Sequence, residues 1–332
     1  MPLFRKKAKS ISRVGLSVSS DHLVLAHMEE RGERPFLMHC PRIALESEKD
    51  AAQALAKVVK DLELQDTQCS YVLNRKDYNL HLVEAPEVEE AELRAAVRWK
   101  IKDLLDMKVE DAAIDVFPVP DDAYRGRKMV YVVAALKSRI QSIVDMVTES
   151  GLTLAVIDIP ELAMQNLTRR FVDDAHGVAF MDLRKNGSTM NISREGQMYL
   201  TRRINTQMEP DAMQSMEWAG LRDRLVLEIQ RSLDYFESQM SQGQVSQIVL
   251  AQRQKDSAAM VAALDESLSA KVSVLDLAQS IGSDIELTPE LQQIAMAAIG
   301  ATLRGEKKKV AHVPDPEPEG KPIELTAKGR AA

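Results

Sequence analysis

Apolar positions near the start of the chain come in short runs, at 11–18, 23–28 and 36–45, separated by the polar breaks Ser19-Ser20-Asp21 and Arg31-Gly32-Glu33. Runs of that length between turn-forming residues predict a three-strand meander. The period then changes. Ala51, Leu55, Val58, Val59 and Leu62 recur at helical steps, and a strand comes next near 70–73. Strands that feed a helix and then a further strand indicate an α/β lobe.

The rhythm differs in the next stretch: a strand at 78–83, then Pro86, then a helix carrying Leu93, Val97, Ile101, Leu104 and Leu105. Two strands at 113–118 and 128–136 flank the polar turn 121–127, and a helix carrying Ile140, Ile143, Val144 and Val147 stops at Gly151, a C-cap residue. This pattern predicts an inserted α+β subdomain over 78–150. A strand at 154–159 resumes the first lobe, and Pro160 suits the first turn of a helix through Leu167. The opening meander then returns at 178–183, 188–192 and 198–204, which implies two related lobes. The longest helix comes after Gly220, with Leu221, Leu225, Ile229, Leu233, Phe236 and Met240 on one stripe. A strand at 247–250, a helix at 258–268, a strand at 272–275 and a helix at 289–303 complete the pattern. The expected division is therefore a first lobe at 11–77 and 151–176, the insertion at 78–150, and a second lobe at 177–304. Residues 1–10 read as a basic flexible tail, and 305–332, rich in Lys and Pro, as a disordered one.

At 332 residues the chain exceeds what one core usually supports, in keeping with two lobes. Forty-three Lys and Arg against 50 Asp and Glu leave a net charge of -7, which opposes a phosphate backbone, so nucleic acid is not an expected partner. Cys40 and Cys69 are the only cysteines and have no CxxC spacing, which points to a reducing compartment and away from disulfides or zinc. No apolar run approaches the roughly 20 residues of a spanning helix, and no signal-type stretch adjoins the basic start. The expectation is a cytoplasmic protein, peripheral to a membrane at most. None of the six histidines has a metal spacing, and GxSxG, P-loop and GxGxxG motifs are absent, so no catalytic or metal residue is assigned.

The phrases AELRAAVRWKIKDLL at 91–105, GVAFMDLRKNGSTMNISREGQMYLTRRI at 177–204, LVLEIQRSLDYFESQ at 225–239 and IAMAAIGATLRG at 294–305 resemble, in that order, the PilM family of type IV pilus assembly proteins. The likeness runs from about residue 11 to 304 and is greatest to the family's counterpart in mannose-sensitive haemagglutinin (MSHA) pilus biogenesis. It implies an α/β, actin-like ATPase fold of two lobes with an insertion of the FtsA and PilM type. It also implies ATP between the lobes, a place at the cytoplasmic face of the inner membrane, and a grip on the cytoplasmic tail of the bitopic partner PilN. Other pilus assembly components are implied as further partners.

An actin-like site needs two hairpin loops with acidic residues for the magnesium shell and small residues whose amides reach phosphate. Where the family resembles Asp-Ile-Gly-Ser-Ser, this chain has Ser17, Val18, Ser19, Ser20 and Asp21, losing both carboxylate and glycine. The second loop keeps Asp182, with Ser188 and Thr189 as hydroxyl donors to phosphate, but Arg184 stands where glycine is preferred. After Ile248, Val249 and Leu250, Gln252, Arg253 and Gln254 replace consecutive glycines. Asp182, Ser188 and Thr189 are thus expected to be a vestigial phosphate loop, with ATP and magnesium not expected as resident cofactors. Asp158, at a strand end before Pro160, reads as a water-positioning group or as a helix-starting residue. Trp99 lies off the apolar stripe of its helix and, with Arg94, Arg98 and Lys102, is a candidate partner-binding patch. The functional expectation is a pilus-assembly scaffold with a degenerate nucleotide site; the alternative is a working ATP-hydrolysing switch.

Overall fold

The computed structural model describes residues 12–32, 34–185 and 187–305; the two expected tails lie outside these residues, apart from Gly305. The chain opens with β1 (Ser12–Val18), β2 (His22–Arg31), β3 (Arg34–His39) and β4 (Arg42–Ala44), then α1 (Ala51–Asp61) and β5 (Gln68–Val72). The single strand expected at 36–45 is two strands, because the Cys40-Pro41 step breaks it: Pro41 has no N–H to give a ladder. β1 pairs antiparallel with β2 and parallel with β5.

The next stretch holds β6 (Tyr78–Glu84), α2 (Glu90–Lys100), β7 (Ala112–Pro118), β8 (Met129–Leu136) and α3 (Lys137–Glu149). β8 lies between β6 and β7 in an antiparallel three-stranded sheet, and α2 buries Val97 against it beside Ile101. Although α3 falls within 78–150, its Ile143 and Val147 enter the same core as Leu16, Leu55 and Tyr71. β9 (Thr153–Asp158) then joins β5 at one edge of the first sheet, followed by α4 (Pro160–Phe171).

The second meander is β10 (Val178–Asp182), β11 (Ser188–Arg194) and β12 (Gln197–Ile204), and α5 (Trp218–Asp234) comes after it. Gly220 lies inside α5 and does not precede it, because the helix starts at Trp218. A π-helical segment continues it through Tyr235–Gln239, which keeps Phe236 and Met240 buried. β13 (Gln247–Ala251), α6 (Ser257–Asp265) and β14 (Lys271–Leu275) complete a five-stranded sheet of order β12-β11-β10-β13-β14. A short α7 (Leu277–Ser280), β15 (Gly282–Ser283) and α8 (Pro289–Thr302) end the described chain.

These last elements cross back. β15 pairs with β3, so the first sheet runs β15-β3-β2-β1-β5-β9, with β4 on β2. One core joins Val24 and Leu37 of the first sheet to Phe180 and Val249 of the second through Met164 of α4 and Ala295 and Ile299 of α8. The close approach needs glycine at two places. A Cβ on Gly15 of β1 would lie 1.8 Å from the Ala298 carbonyl oxygen, and one on Gly300 would lie 2.3 Å from that of Ala163. Packing across residue 177 is thus continuous, and the two lobes share the α4 and α8 layer.

A second tie comes from the turn between β7 and β8 and from the start of β8. Val119, Ala123, Tyr124 and Tyr131 enter the core of the second lobe beside Ile192, Tyr199 and Phe236. Its polar ends are bonded as well. The Tyr199 hydroxyl donates to Asp122 Oδ1 at 2.9 Å, the Thr201 amide donates to Tyr131 Oη at 3.0 Å, and the Tyr124 and Tyr235 hydroxyls lie 3.1 Å apart. Phe117 stacks on Tyr131 with ring centroids 5.2 Å apart.

Candidate functional site

The carboxyl ends of β10 and β13 meet α8 at the place where the resemblance implies a nucleotide crevice. Parallel pairing of β10 with β13 brings Asp182, the last residue of β10, beside the loop after Ala251. Ligands of open α/β sheets commonly sit at such carboxyl ends. Here they hold arginines. Arg184 Nε donates to Asp182 Oδ2 at 2.6 Å, and Arg184 Nη2 donates to the Gln293 carbonyl of α8 at 2.6 Å. Gln293 Oε1 in turn accepts the Gln254 amide at 3.1 Å, which stitches the two loops to α8. The carboxylate expected to orient a magnesium shell is therefore occupied by a guanidinium.

Arg253 fills the other side. It is only 2% exposed, and its Nη2 donates to the Glu209 carbonyl at 3.0 Å. Burial depresses its pKa, and the charges of Asp256 and Asp182 offset this only in part. A glycine at this place would leave open volume, whereas an arginine side chain closes it. Ser188 and Thr189 are both buried, and the Ser188 hydroxyl is used, donating to the Thr206 carbonyl at 3.1 Å and accepting the Arg184 amide at 3.2 Å. Thr189 Oγ1 has no hydrogen-bond partner among the described residues.

The first hairpin is closed on itself. Ser19 Oγ donates to Asp21 Oδ1 at 2.8 Å and lies 2.8 Å from His22 Nδ1, and the Ser19 amide donates to the His22 carbonyl at 2.8 Å. The Ser19 hydrogen bond holds the Asp21 carboxyl below its usual range, against a smaller opposing effect of burial. Among the described residues no group of three or more His, Cys, Asp or Glu is placed to hold a metal ion. Asp158 is not in the crevice chemistry: its Oδ1 accepts the Ile159 amide at 2.9 Å and its Oδ2 accepts Arg304 Nη1 at 2.7 Å. α4 begins at Pro160 with Ile159 as its N-cap and no side-chain cap bond, so Asp158 does not cap the helix; its carboxylate is held by Arg304 and the Ile159 amide.

A second concavity lies between the insertion and the first lobe, about 250 Å³ in volume. Its walls are Ile114, Val116 and Phe117 of β7 and Ile157 of β9, and Asp158 and Arg304 sit among them. β7 and β9 are both edge strands, so each presents, toward or beside this cleft, a row of backbone groups without a strand partner among the described residues. An edge beside apolar pockets is the geometry that accepts an extended peptide.

The patch expected on α2 is dispersed by its bonds. Trp99 is 68% exposed, as expected from its position off the stripe. Arg98, by contrast, is committed inside the insertion, donating to the carbonyls of Val109 and Ala112 at 2.5 and 3.3 Å. Arg94 pairs with Asp115 at 2.8 Å on the surface, and Lys102 is exposed. Sequence reasoning missed the cleft residues: β7 and β9 were legible as strands, but an edge exists only in the strand order. Arg304 lay within the IAMAAIGATLRG phrase and was not singled out, because its partner Asp158 is distant in sequence.

A solved PilM–PilN type IV pilus biogenesis complex matches this chain with a TM-score of 0.66 at 18% identity, over 88% of this chain and 98% of that one. The cytoplasmic domain of EpsL, an inner membrane component of the type II secretion system of Vibrio cholerae, gives 0.46 at 11% identity over 86% and 94%. A Bacteroides thetaiotaomicron protein described as having an actin-like ATPase fold gives 0.47 at 10% identity over 84% and 95%. No family model and no curated protein matches the sequence. The fold is actin-like, of the kind seen in PilM. No helix among the described residues is long and apolar enough to cross a membrane.

Proposed function

We propose that this chain is the PilM-type component of a type IV pilus machine, on the MSHA branch and comparable to MshI, and that it works as a scaffold. It holds the cytoplasmic end of a PilN-like bitopic inner-membrane protein in the cleft between β7 and β9, and it presents that partner to other assembly components. Its place is the cytoplasmic face of the inner membrane, peripheral to the bilayer. The observation that carries this reading is the cleft itself: two unpaired sheet edges flanking an apolar wall of Ile114, Val116, Phe117 and Ile157. The likeness to a complex that contains PilN supports the choice of partner.

Titration calorimetry with a synthetic peptide from the partner's cytoplasmic end tests it. Ala113→Arg, which fills the cleft, should abolish binding, and Trp99→Ala on α2 should leave it unchanged. The reverse pattern would move the interface to the α2 face and reject the cleft.

In this reading the crevice is a vestige, with Asp182, Ser188 and Thr189 the remains of a phosphate loop; Arg184 holds the Asp182 carboxylate, and Arg253 is buried on the carbonyl of Glu209. Retention of Asp182 favours the second reading, an ATP-dependent switch. A rise in melting temperature with millimolar magnesium-ATP that Asp182→Ala removes would support it.

A further inference from the structure

We propose that a groove between β4 and α1 takes an extended peptide of another protein, one whose apolar residue is flanked two positions away on each side by lysine or arginine. This surface shares no lining residue with the cleft between β7 and β9. The groove has a volume of about 540 Å³, and its floor is Ile43 of β4 with Ala54 and Val58 of α1, each half-buried against the core of the first sheet. β4 supplies a strand edge. It pairs with β2 alone among the described residues, in the register Leu23↔Ile43. The Leu25 amide donates to the Pro41 carbonyl at 3.2 Å and the Leu45 amide to the Asp21 carbonyl at 2.8 Å, so residues 41, 43 and 45 turn their backbone groups toward β2. By alternation the N–H and C=O groups of Arg42 and Ala44 point outward, and no strand receives them among the described residues. A strand added on that edge sets every second side chain on the face of Ile43, over Ala54 and Val58.

Charge selects the occupant. Glu46 and Asp50 lie just before α1 and Asp61 at its last turn, against one cation on the lining, Lys57. Asp50 is engaged by the Ser47 amide and hydroxyl. Glu46 and Asp61, by contrast, are exposed and have no hydrogen bond or ion pair among the described residues, which leaves an uncompensated negative group at each end of the groove. Such an excess favours a basic partner and disfavours an acidic one. The spacing agrees with the pattern proposed. The 11 residues of α1 rise about 16 Å, and two strand residues four apart, both on one face, are separated by about 13 Å. Two long basic side chains span the difference, and the apolar residue midway between them meets the floor.

Fluorescence anisotropy with the full-length chain tests this, using labelled Thr-Lys-Thr-Val-Thr-Lys-Thr and its counterpart with glutamate in place of both lysines. Saturable binding of the lysine peptide and none of the glutamate peptide is expected. The double variant Glu46→Lys, Asp61→Lys, at two exposed positions, should weaken binding about tenfold. N-methylation of the two threonines beside the valine removes the ladder donors at constant charge and should weaken it about as much, whatever the stability of any variant. Absence of binding, equal binding of the two peptides, or undiminished affinity of the N-methylated peptide overturns the proposal. Self-association of the chain alone, seen in sedimentation and abolished by the double variant, overturns it too, because the occupant is then a second copy. Ala113→Arg in the other cleft should leave the lysine peptide bound, so failure here and failure of the β7 and β9 reading are told apart.

Discussion

Arg304→Gln removes the guanidinium from the cleft floor and leaves the Asp158 side chain, which has no exposed surface, with only the Ile159 amide as a donor. Burial already pushes the Asp158 carboxyl above its usual range, and the charge and hydrogen bond of Arg304 pull it partway back. Breaking a buried ion pair costs roughly 3–5 kcal/mol. Arg304 is 42% exposed, so water screens part of the attraction, and we take about 2 kcal/mol for the loss at neutral pH. Linkage sets the sign. A carboxyl whose folded pKa is raised favours the fold when protonated; that contribution is complete below the unfolded value of about 3.9 and is lost as pH rises through the folded value. Without Arg304 the folded value moves further up, so the deficit of the variant is small near pH 4 and grows toward pH 7. On an Asp158→Asn background there is no ionisation to lose, and the same substitution should cost less than about 0.5 kcal/mol. Urea unfolding of the four proteins across this pH range measures the cycle. A deficit independent of pH, or one undiminished on the Asn background, would refute the assignment of the pair.

Three further outcomes are expected. Wild-type protein should show no thermal shift up to millimolar magnesium-ATP, whereas the double variant Arg184→Gly, Arg253→Gly, which clears both guanidinium groups from the crevice, should show one; a shift in the wild type would contradict the occupied crevice. Gly300→Ala puts a Cβ 2.3 Å from the Ala163 carbonyl oxygen and should cost about 1–3 kcal/mol as α8 is forced off α4, read as a lowered melting temperature. Burial pushes the thiols of Cys40 and Cys69 up to about 12, so both should resist a thiol reagent at pH 8 until denaturant is added.

Much of the fold was readable along the chain because its information is local. Short apolar runs, the first set bounded by Ser19-Ser20-Asp21 and Arg31-Gly32-Glu33, located the meanders, and the stripe from Leu221 to Met240 located α5 together with its π-helical continuation. What could not be read depends on distant partners. The two-residue β15 is a strand only because β3 accepts it, and α7 is too short to show a period. Nothing in the sequence near Gly15 or Gly300 says that another backbone approaches them; both glycines answer to residues more than a hundred positions away. The crevice was legible in part: Arg184 and Arg253 stood out as substitutions at glycine positions, but their bonds to Asp182 and Glu209 depend on which strand ends meet. The basic patch on α2 misled because Arg98 looks surface-bound from its helix position, whereas its long side chain reaches the carbonyls of Val109 and of Ala112 at the start of β7.

The turn that carries Tyr124 into the second lobe, with Tyr131 of β8 beside it, bears on how this molecule would answer a pull. Rotation of one lobe against the other would have to draw Val119, Ala123 and Tyr124 out of an apolar interior and break the bonds at Asp122, Thr201 and Tyr235. Phe117 of β7 packs against the cores of both halves, so a load applied at β7 would reach both. A tether at β7, if the cleft is the docking site proposed above, would then pull on both halves at once.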